Sequence, residues 1–541
     1  MEWTAKKKSA RTPETGELPR GGPEKGGRHA GALAGLGAVV ALFCLRAYHV
    51  GTVNEDAYIS LRYARNLLNG DGLVFNPGGE PVEGITNLLW TLAVAAGSWA
   101  SGLSLTTVAP VLGTICGVLT LAVAYRWCQK ELAANGFSSG AAAYTALAAP
   151  LLLTLAPGFA FYSSSGLEVT LFALLVTGGL YLLSHSGSLR RYALASLVLG
   201  AAALTRPEGA LVLGLGAAAA LLRPGGGRLR RTLASALPGL LILGGVTLWR
   251  LYYYGSPVPN TFFAKAGEAA VVEDWGLPYF EAAAADLWFH GAWVFALAGA
   301  VLGRDALARN VAALSLVPLW TFYVVQVGGD YMPLHRFFLP ILPVAYVLLV
   351  PGVALLARAV SDLTGFRWLV NLATVSLCAL AVAYVVDTEL PEHLEVEEQR
   401  KEDTIGWTAY RSSVAGWLDS QDPDALVAAN AVGAMGYYSE TRVLDMLGLN
   451  DAHIARNGEE DPEAPPGHQV GDADYVLSRE PDYIIFYGIK PAYRVGETSP
   501  YFLSDRQLAG SPEFQRDYEL VEVDLGEEGE ITLFQRSEEA G

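Results

Sequence analysis

Between residues 31 and 386 the chain repeats one pattern, an apolar run followed by a short polar loop. About 20 apolar residues span about 30 Å of hydrocarbon as a helix. Runs of this kind fall at 31–50, 104–125, 140–157, 168–185, 191–205, 208–222, 233–254, 288–303, 309–327, 337–357 and 367–386. They predict a polytopic helical bundle of about 11 transmembrane helices, because lipid offers no partner to an unpaired backbone group. Only 17% of the residues are charged, where soluble domains average about 25%. A further apolar stretch at 85–100 carries Trp90 and Trp99 and is only about 24 Å long as a helix. It is expected to lie at the interface or to insert in part. A full crossing would put the C-terminal domain on the cytoplasmic side.

The basic residues orient the bundle. Arg126 and Lys130, Arg190 and Arg191, Arg223 to Arg231, Arg304 and Arg309, and Arg358 and Arg367 occupy every second loop, as cytoplasmic loops do. Residues 1–29 are rich in Gly, Pro, Lys and Arg and are expected to form a disordered cytoplasmic tail. Residues 30–389 then form the membrane domain, with a first external loop at 51–84. Residues 390–541 form an extracytoplasmic α/β domain, with short strands expected at Ala425–Ala429, Tyr483–Tyr487 and 519–525 and a loop at 457–473. From Asp387 onward there are 34 acidic and 11 basic residues. Such a domain repels phosphates, so nucleic acid is not an expected partner.

Several standard chemistries lack their residues. Cys44, Cys116, Cys128 and Cys378 form no Cys-x-x-Cys pair, which argues against a thiolate zinc site. No phosphate loop for ATP and no Gly-x-Ser-x-Gly elbow occurs.

The polar residues that remain cluster in the other set of loops. Glu55 and Asp56 follow the first span, and a helix with Tyr58, Leu61, Ala64 and Leu68 on one face comes next. Glu83, Glu168, Arg206 with Glu208, Asn260 with Lys265, and Asp330 with His335 and Arg336 all lie at span ends on the predicted outer side. Ionisable groups at a membrane edge mark functional cavities.

These segments carry a resemblance. Asp56-Ala57-Tyr58-Ile59-Ser60-Leu61-Arg62-Tyr63, Gly72-Leu73-Val74-Phe75-Asn76-Pro77-Gly78 and Val82-Glu83-Gly84-Ile85-Thr86-Asn87 resemble the first external loop of GT-C glycosyltransferases. Ser165-Gly166-Leu167-Glu168, Thr205-Arg206-Pro207-Glu208-Gly209, Pro259-Asn260-Thr261 and Gly328-Gly329-Asp330-Tyr331-Met332 fit the same pattern in order. The subgroup most similar is the actinobacterial terminal β-arabinofuranosyltransferases, whose relatives also carry a flagellar-motor-control label. The resemblance implies a membrane enzyme that moves a sugar, arabinofuranose in that subgroup, from a polyprenyl-monophosphate donor to an extracytoplasmic glycan.

It implies Asp56 at the reaction centre, as general base or as a stabiliser of sugar cation character, with Glu55 beside it. Arg206, Lys265 and Arg336 become donor-phosphate partners. Glu83, Glu168, Glu208, Asn260, Asp330 and His335 become candidates for sugar or acceptor binding. No cofactor is certain; a divalent cation, Mg or Ca, at Asp56 stays open, and any metal ligand set is unknown. Tyr437, Tyr438, Trp407 and Trp417 are candidates for stacking on acceptor sugars. Two rivals are a lipid-linked-sugar flippase, which would line a midplane cavity with charge, and a non-catalytic motility-linked scaffold.

Overall fold

A computed structural model describes residues 24–265, 272–287, 289–303, 305–365, 390–465, 467–486 and 501–538. The first helix, Glu24–His49, begins inside the expected tail; residues 1–23, the span at 367–386 and Tyr487 lie outside the described residues.

Five helices are long and apolar enough to cross a bilayer alone: Ala30–His49, Leu105–Ala134, Arg228–Tyr253, Ala306–Gln326 and Leu339–Thr364. Val272–Leu287 and Gly291–Leu302 make a sixth if their 69° bend is one broken span. Val169–Ser184, Leu189–Thr205 and Gly209–Leu222 are apolar but shorter. The expected run at 140–157 is broken into Ser139–Thr145 and Ala148–Leu155. Arg228–Tyr253 exposes Leu229, Leu233, Leu237, Leu240, Leu241 and Leu248. A stripe of that size is costly in water and neutral in lipid. Leu342–Thr364 sits at the opposite extreme, with Leu342, Val344, Val347 and Ala354 fully buried in the bundle core.

The stretch at 85–100 forms Leu88–Ser101, a helix of 14 residues or about 21 Å. It buries Trp90, exposes Trp99, and packs on Glu55–Asn69 and Leu105–Ala134.

Helix Leu390–Gln421 joins the two halves of the molecule. Its Glu397 is fully buried, pairs with Arg46 at 2.8 Å and accepts from the Gly158 backbone N–H at 3.0 Å. Beyond it, strands β1 (Leu426–Ala429), β2 (Arg442–Asp445), β5 (Tyr483–Ile485), β6 (Tyr518–Asp524) and β7 (Glu530–Arg536) form one sheet in the order β2-β1-β5-β7-β6. The first three run parallel and the last two are an antiparallel hairpin on the edge. The predicted loop at 457–473 instead holds a two-stranded ribbon, β3 (Glu459–Glu460) with β4 (Val470–Gly471).

The loop at 51–84 binds these halves together. Asn54 caps helix Glu55–Asn69 by accepting from the Asp56 N–H, and Gly70 ends it at φ 95°. Tyr58, Leu61 and Ala64 are buried as the periodicity predicts, while Leu68 stays exposed. Arg62 is fully buried and donates to the carbonyls of Phe75, Gly436 and Thr441 and to Asn76 Oδ1. One guanidinium thus ties the loop to the C-terminal domain.

Candidate active site

Asp56 stands in the first turn of helix Glu55–Asn69, where the helix start lies against the turn Ser163–Leu167. The Asn54 N–H donates to Ser165 O at 2.9 Å, and Gly166, at φ 78°, leaves the room that Ala57 and Val53 fill. Both Asp56 carboxylate oxygens accept from the Tyr331 hydroxyl, at 3.0 and 3.2 Å. Arg336 Nη1 lies 3.6 Å from Asp56 Oδ2. The same guanidinium grips Asp330 in a fork, Nε to Oδ2 at 2.6 Å and Nη2 to Oδ1 at 2.9 Å.

A second charged knot adjoins the first. Arg206 Nη1 is 3.1 Å from Glu168 Oε1 and Nη2 is 3.5 Å from Glu208 Oε1. Asn87 Nδ2 donates to Glu168 at 2.9 Å and the Tyr323 hydroxyl to Glu208 at 2.8 Å. The Glu208 carboxylate is thus held between the Arg206 guanidinium and the Tyr323 hydroxyl. The Phe337 ring joins the knots, with Arg206 4.9 Å and Arg336 5.5 Å from its centroid.

Lys265 is the third cation, and it forms no ion pair among the described residues. Removal from bulk water pulls its ammonium below the ordinary lysine range, with the charges of Asp56 and Asp330 opposing that pull. Lys265 and Tyr331 are solvent-accessible, Tyr331 at 48%, and the Asp56 side chain beside Tyr331 is 34% exposed. This solvent-open face of the charged cluster is the candidate cleft. Four carboxylates (Asp56, Asp330, Glu168, Glu208) face three cations (Arg206, Arg336, Lys265), and the two arginines are each shared by two carboxylates. Lys265 is therefore the cation whose charge is least committed.

Other expected site residues are turned elsewhere. Glu55 points away from Asp56 and pairs with Arg411 at 2.8 Å, also accepting from the Ala434 N–H. Adjacent positions on a helix do not share a face, a signal present in the sequence. Glu83 takes a fork from Arg250, Nε to Oε2 at 2.7 Å and Nη2 to Oε1 at 2.9 Å. Asn260 spends its amide on the carbonyls of Gly448, Leu449 and Asp451. His335 bonds Asp286 at 2.6 Å. Trp417 packs edge-on against Tyr483 in the domain core, and Trp407 lies beneath Arg411, whose guanidinium is 4.5 Å from its ring. Tyr437 and half-exposed Tyr438 cluster with Tyr58, at centroid distances of 5.4 and 5.5 Å.

Among the described residues no three His, Cys, Asp or Glu side chains form a group able to hold a metal ion. Asp56 faces a phenol and a guanidinium, a donor set that does not suit a divalent cation.

The far ends of these helices carry a different population. Glu131 pairs with Arg309 at 3.1 Å and lies 3.5 Å from His185, at the opposite end of the helix that starts after Glu168. Arg223 donates there to Leu183 O and Tyr192. The Asp56 cleft and the basic loops thus occupy opposite ends of the bundle.

The chain is 31% identical over 245 residues to a terminal β-(1→2)-arabinofuranosyltransferase of Mycobacterium tuberculosis, covering 42% of this chain and 37% of that protein. It is 29% identical over 364 residues to the protein of the same name from Corynebacterium glutamicum, covering 58% and 49%. The chain thus matches half or less of each curated relative's length. Residues 400–536 match a domain of unknown function (DUF8728). Among solved structures, ArnT from Cupriavidus metallidurans bound to undecaprenyl phosphate superposes with a TM-score of 0.57 at 13% identity, covering 94% of this chain and 98% of that one. The oligosaccharyltransferase AglB from Archaeoglobus fulgidus, in complex with an inhibitory peptide and a dolichol-phosphate, superposes at 0.51 and 11%, covering 83% and 69%. The chain is a multi-pass membrane protein with the GT-C fold, and part of its sequence is similar to the terminal β-(1→2)-arabinofuranosyltransferases.

Proposed function

We propose that the protein transfers a sugar from a polyprenyl-monophosphate donor to an extracytoplasmic glycan, with arabinofuranose as the sugar. The observation that carries this reading is the convergence of Asp56, Lys265, Asp330 and Arg336 from three distant segments on one cleft at the helix ends. The names of the two sequence relatives supply the sugar. Basic loops at the opposite end favour a cytoplasmic N-terminus, an external cleft and an external C-terminal domain in the plasma membrane.

The donor phosphate lies against Lys265, which forms no ion pair among the described residues. Arg336 approaches it with Nη1 while Asp330 fixes the other side of the guanidinium. Asp56 takes the proton of the acceptor hydroxyl as that oxygen bonds to the anomeric carbon. The bond from that carbon to the phosphate oxygen breaks, and its electron pair leaves with the polyprenyl phosphate. Lys265 and Arg336 stabilise the charge that grows there. Glu168, Arg206 and Glu208 shape the neighbouring wall and hold Phe337 against Arg336. No step needs a metal ion.

The test is purified full-length protein in lipid nanodiscs with a panel of polyprenyl-phosphate sugars and arabinan acceptors, read by mass spectrometry. Transfer from the arabinofuranosyl donor is the expected result. Translocation of intact donor across vesicles with no sugar transfer would instead establish the flippase reading.

A further inference from the structure

We propose that Gly467, on a strap of the C-terminal domain, fixes the direction of the Lys265 side chain, so that this domain builds one wall of the donor-phosphate site. The inference rests on the placement of the donor phosphate against Lys265 above. Gly467 is a positioning residue: it acts through Lys265 and not on the donor itself.

The segment that carries Lys265 has little structure of its own. Helix Thr261–Ala264 is one turn long, and Lys265 follows it; a single turn is not stable by itself. The C-terminal domain holds this segment at three places. Asn260 Nδ2 donates to the carbonyls of Gly448, Leu449 and Asp451, at 2.8, 3.2 and 3.0 Å. The Arg456 guanidinium lies 4.7 Å from the centroid of the Phe263 ring. Gly467 lies along the Lys265 stem, so close that an added Cβ would sit 3.3 Å from Cε, 3.5 Å from Cγ and 3.6 Å from Cδ. Residues 260, 263 and 265 therefore rest on that domain, while Phe262 among them is exposed.

The wall against the stem is itself fastened. Gly467 lies between β3 and β4, where the Asp461 N–H donates to Gln469 O at 2.7 Å and the His468 N–H to Pro465 O at 3.0 Å. At the root of the strap Arg506 pairs with Asp461, and Gln507 Nε2 donates to Glu459 at 2.7 Å. His468 stacks on Phe502 at 5.3 Å and meets Tyr331 edge-on at 4.6 Å. Gly467 has φ 82°, a conformation strained for any residue with a Cβ, so the lysine stem packs on bare backbone. The end of Lys265 stays open to solvent. A lysine that loses its freedom only on binding costs affinity about two- to ten-fold. Here the stem is restrained before the phosphate arrives.

The experiment titrates polyprenyl monophosphate into the full chain in nanodiscs, for the wild type, Gly467→Val, Lys265→Ala and the double variant. Gly467→Val sets a branched side chain against the lysine stem and is expected to weaken binding about five-fold. In the Lys265→Ala background that stem is gone, and Gly467→Val is expected to change affinity by less than about two-fold. Equal losses in the two backgrounds overturn the proposal, because Gly467 would then act through the domain at large. An unchanged affinity in Gly467→Val overturns it too. Should Gly467→Val not fold, Arg456→Ala, at an exposed position, decides: about a two-fold loss with Lys265 present and none without it is expected, and any other pattern overturns the proposal. An unchanged affinity in Lys265→Ala takes the phosphate away from Lys265 and removes the reading beneath the proposal as well. A loss in Lys265→Ala that merely adds to that of Gly467→Val removes the strap alone.

Discussion

Arg206, Lys265 and Arg336 stand alike in the sequence, as cations at span ends, and the structure gives them different work. Arg206 is held between Glu168 and Glu208, so its removal strands two buried carboxylates. Arg206→Ala should cost about 3–5 kcal/mol of stability, seen as a lower thermal midpoint in detergent. Lys265 carries no such burden. Lys265→Ala should leave the midpoint nearly unchanged and weaken binding of a polyprenyl phosphate on the order of ten-fold, as loss of a hydrogen bond to a charged group does. Calorimetry or spectroscopic titration checks it. That Asp56, Glu168, Arg206, Glu208, Lys265, Asp330 and Arg336 stand out at span ends was legible, because charge is conspicuous in an apolar chain. Which of them pair was not, since Glu83 meets Arg250 only once the chain is folded. Tyr331 and His468 escaped for the same reason; a tyrosine in a motif reads as packing until its hydroxyl is seen on Asp56.

Helix Glu55–Asn69 serves two masters, offering Asp56 to the cleft and Arg62 and Glu55 to the C-terminal domain. Burial pushes the Arg62 guanidinium down to about 9, and its four acceptors fix it in place. Arg62→Lys keeps a charge but not the planar fork, so the C-terminal domain should become more open to limited proteolysis while the membrane helices stay intact. Gly433 reports on the same contact, because an added Cβ would lie 2.2 Å from the Glu55 carbonyl oxygen. In the sheet, burial raises the Asp445 carboxyl to about 6 against three donors from Leu447 and Asn450. An unfolded aspartate titrates near 3.9, so the folded state binds this proton more tightly. The stability it contributes is complete below the unfolded value and lost as pH rises through about 6. Raising the pH from 5 to 7 should lower the thermal midpoint more in the wild type than in Asp445→Asn. The helix was legible from its periodicity, β1 and β5 as short apolar runs and β6 from its alternation; β7 went unread although Ile531, Thr532 and Leu533 form a buried run of the same kind.

At the scale of the molecule, a bundle with lipid-facing leucines on Arg228–Tyr253 carries a charged cleft at one end and arginines at the other. The C-terminal domain closes over the cleft, through Arg411 on Glu55, Asn260 on the 448–451 turn, and His468 on Tyr331. That the charged site residues and the basic loops lie at opposite ends of the bundle was legible from the apolar runs and the loop charges. The shortness of Val169–Ser184 and its neighbours, and the bend before Gly291, were not, because hydropathy measures composition and not where a helix breaks. The central claim is that Asp56 performs the proton transfer at a cleft whose cations hold the donor phosphate. The direct measurement is Asp56→Asn in nanodiscs, with sugar transfer and polyprenyl-phosphate affinity read on the same preparation. The account predicts transfer reduced by about 10²–10⁴-fold with affinity kept within a few-fold. Full transfer by Asp56→Asn would contradict it.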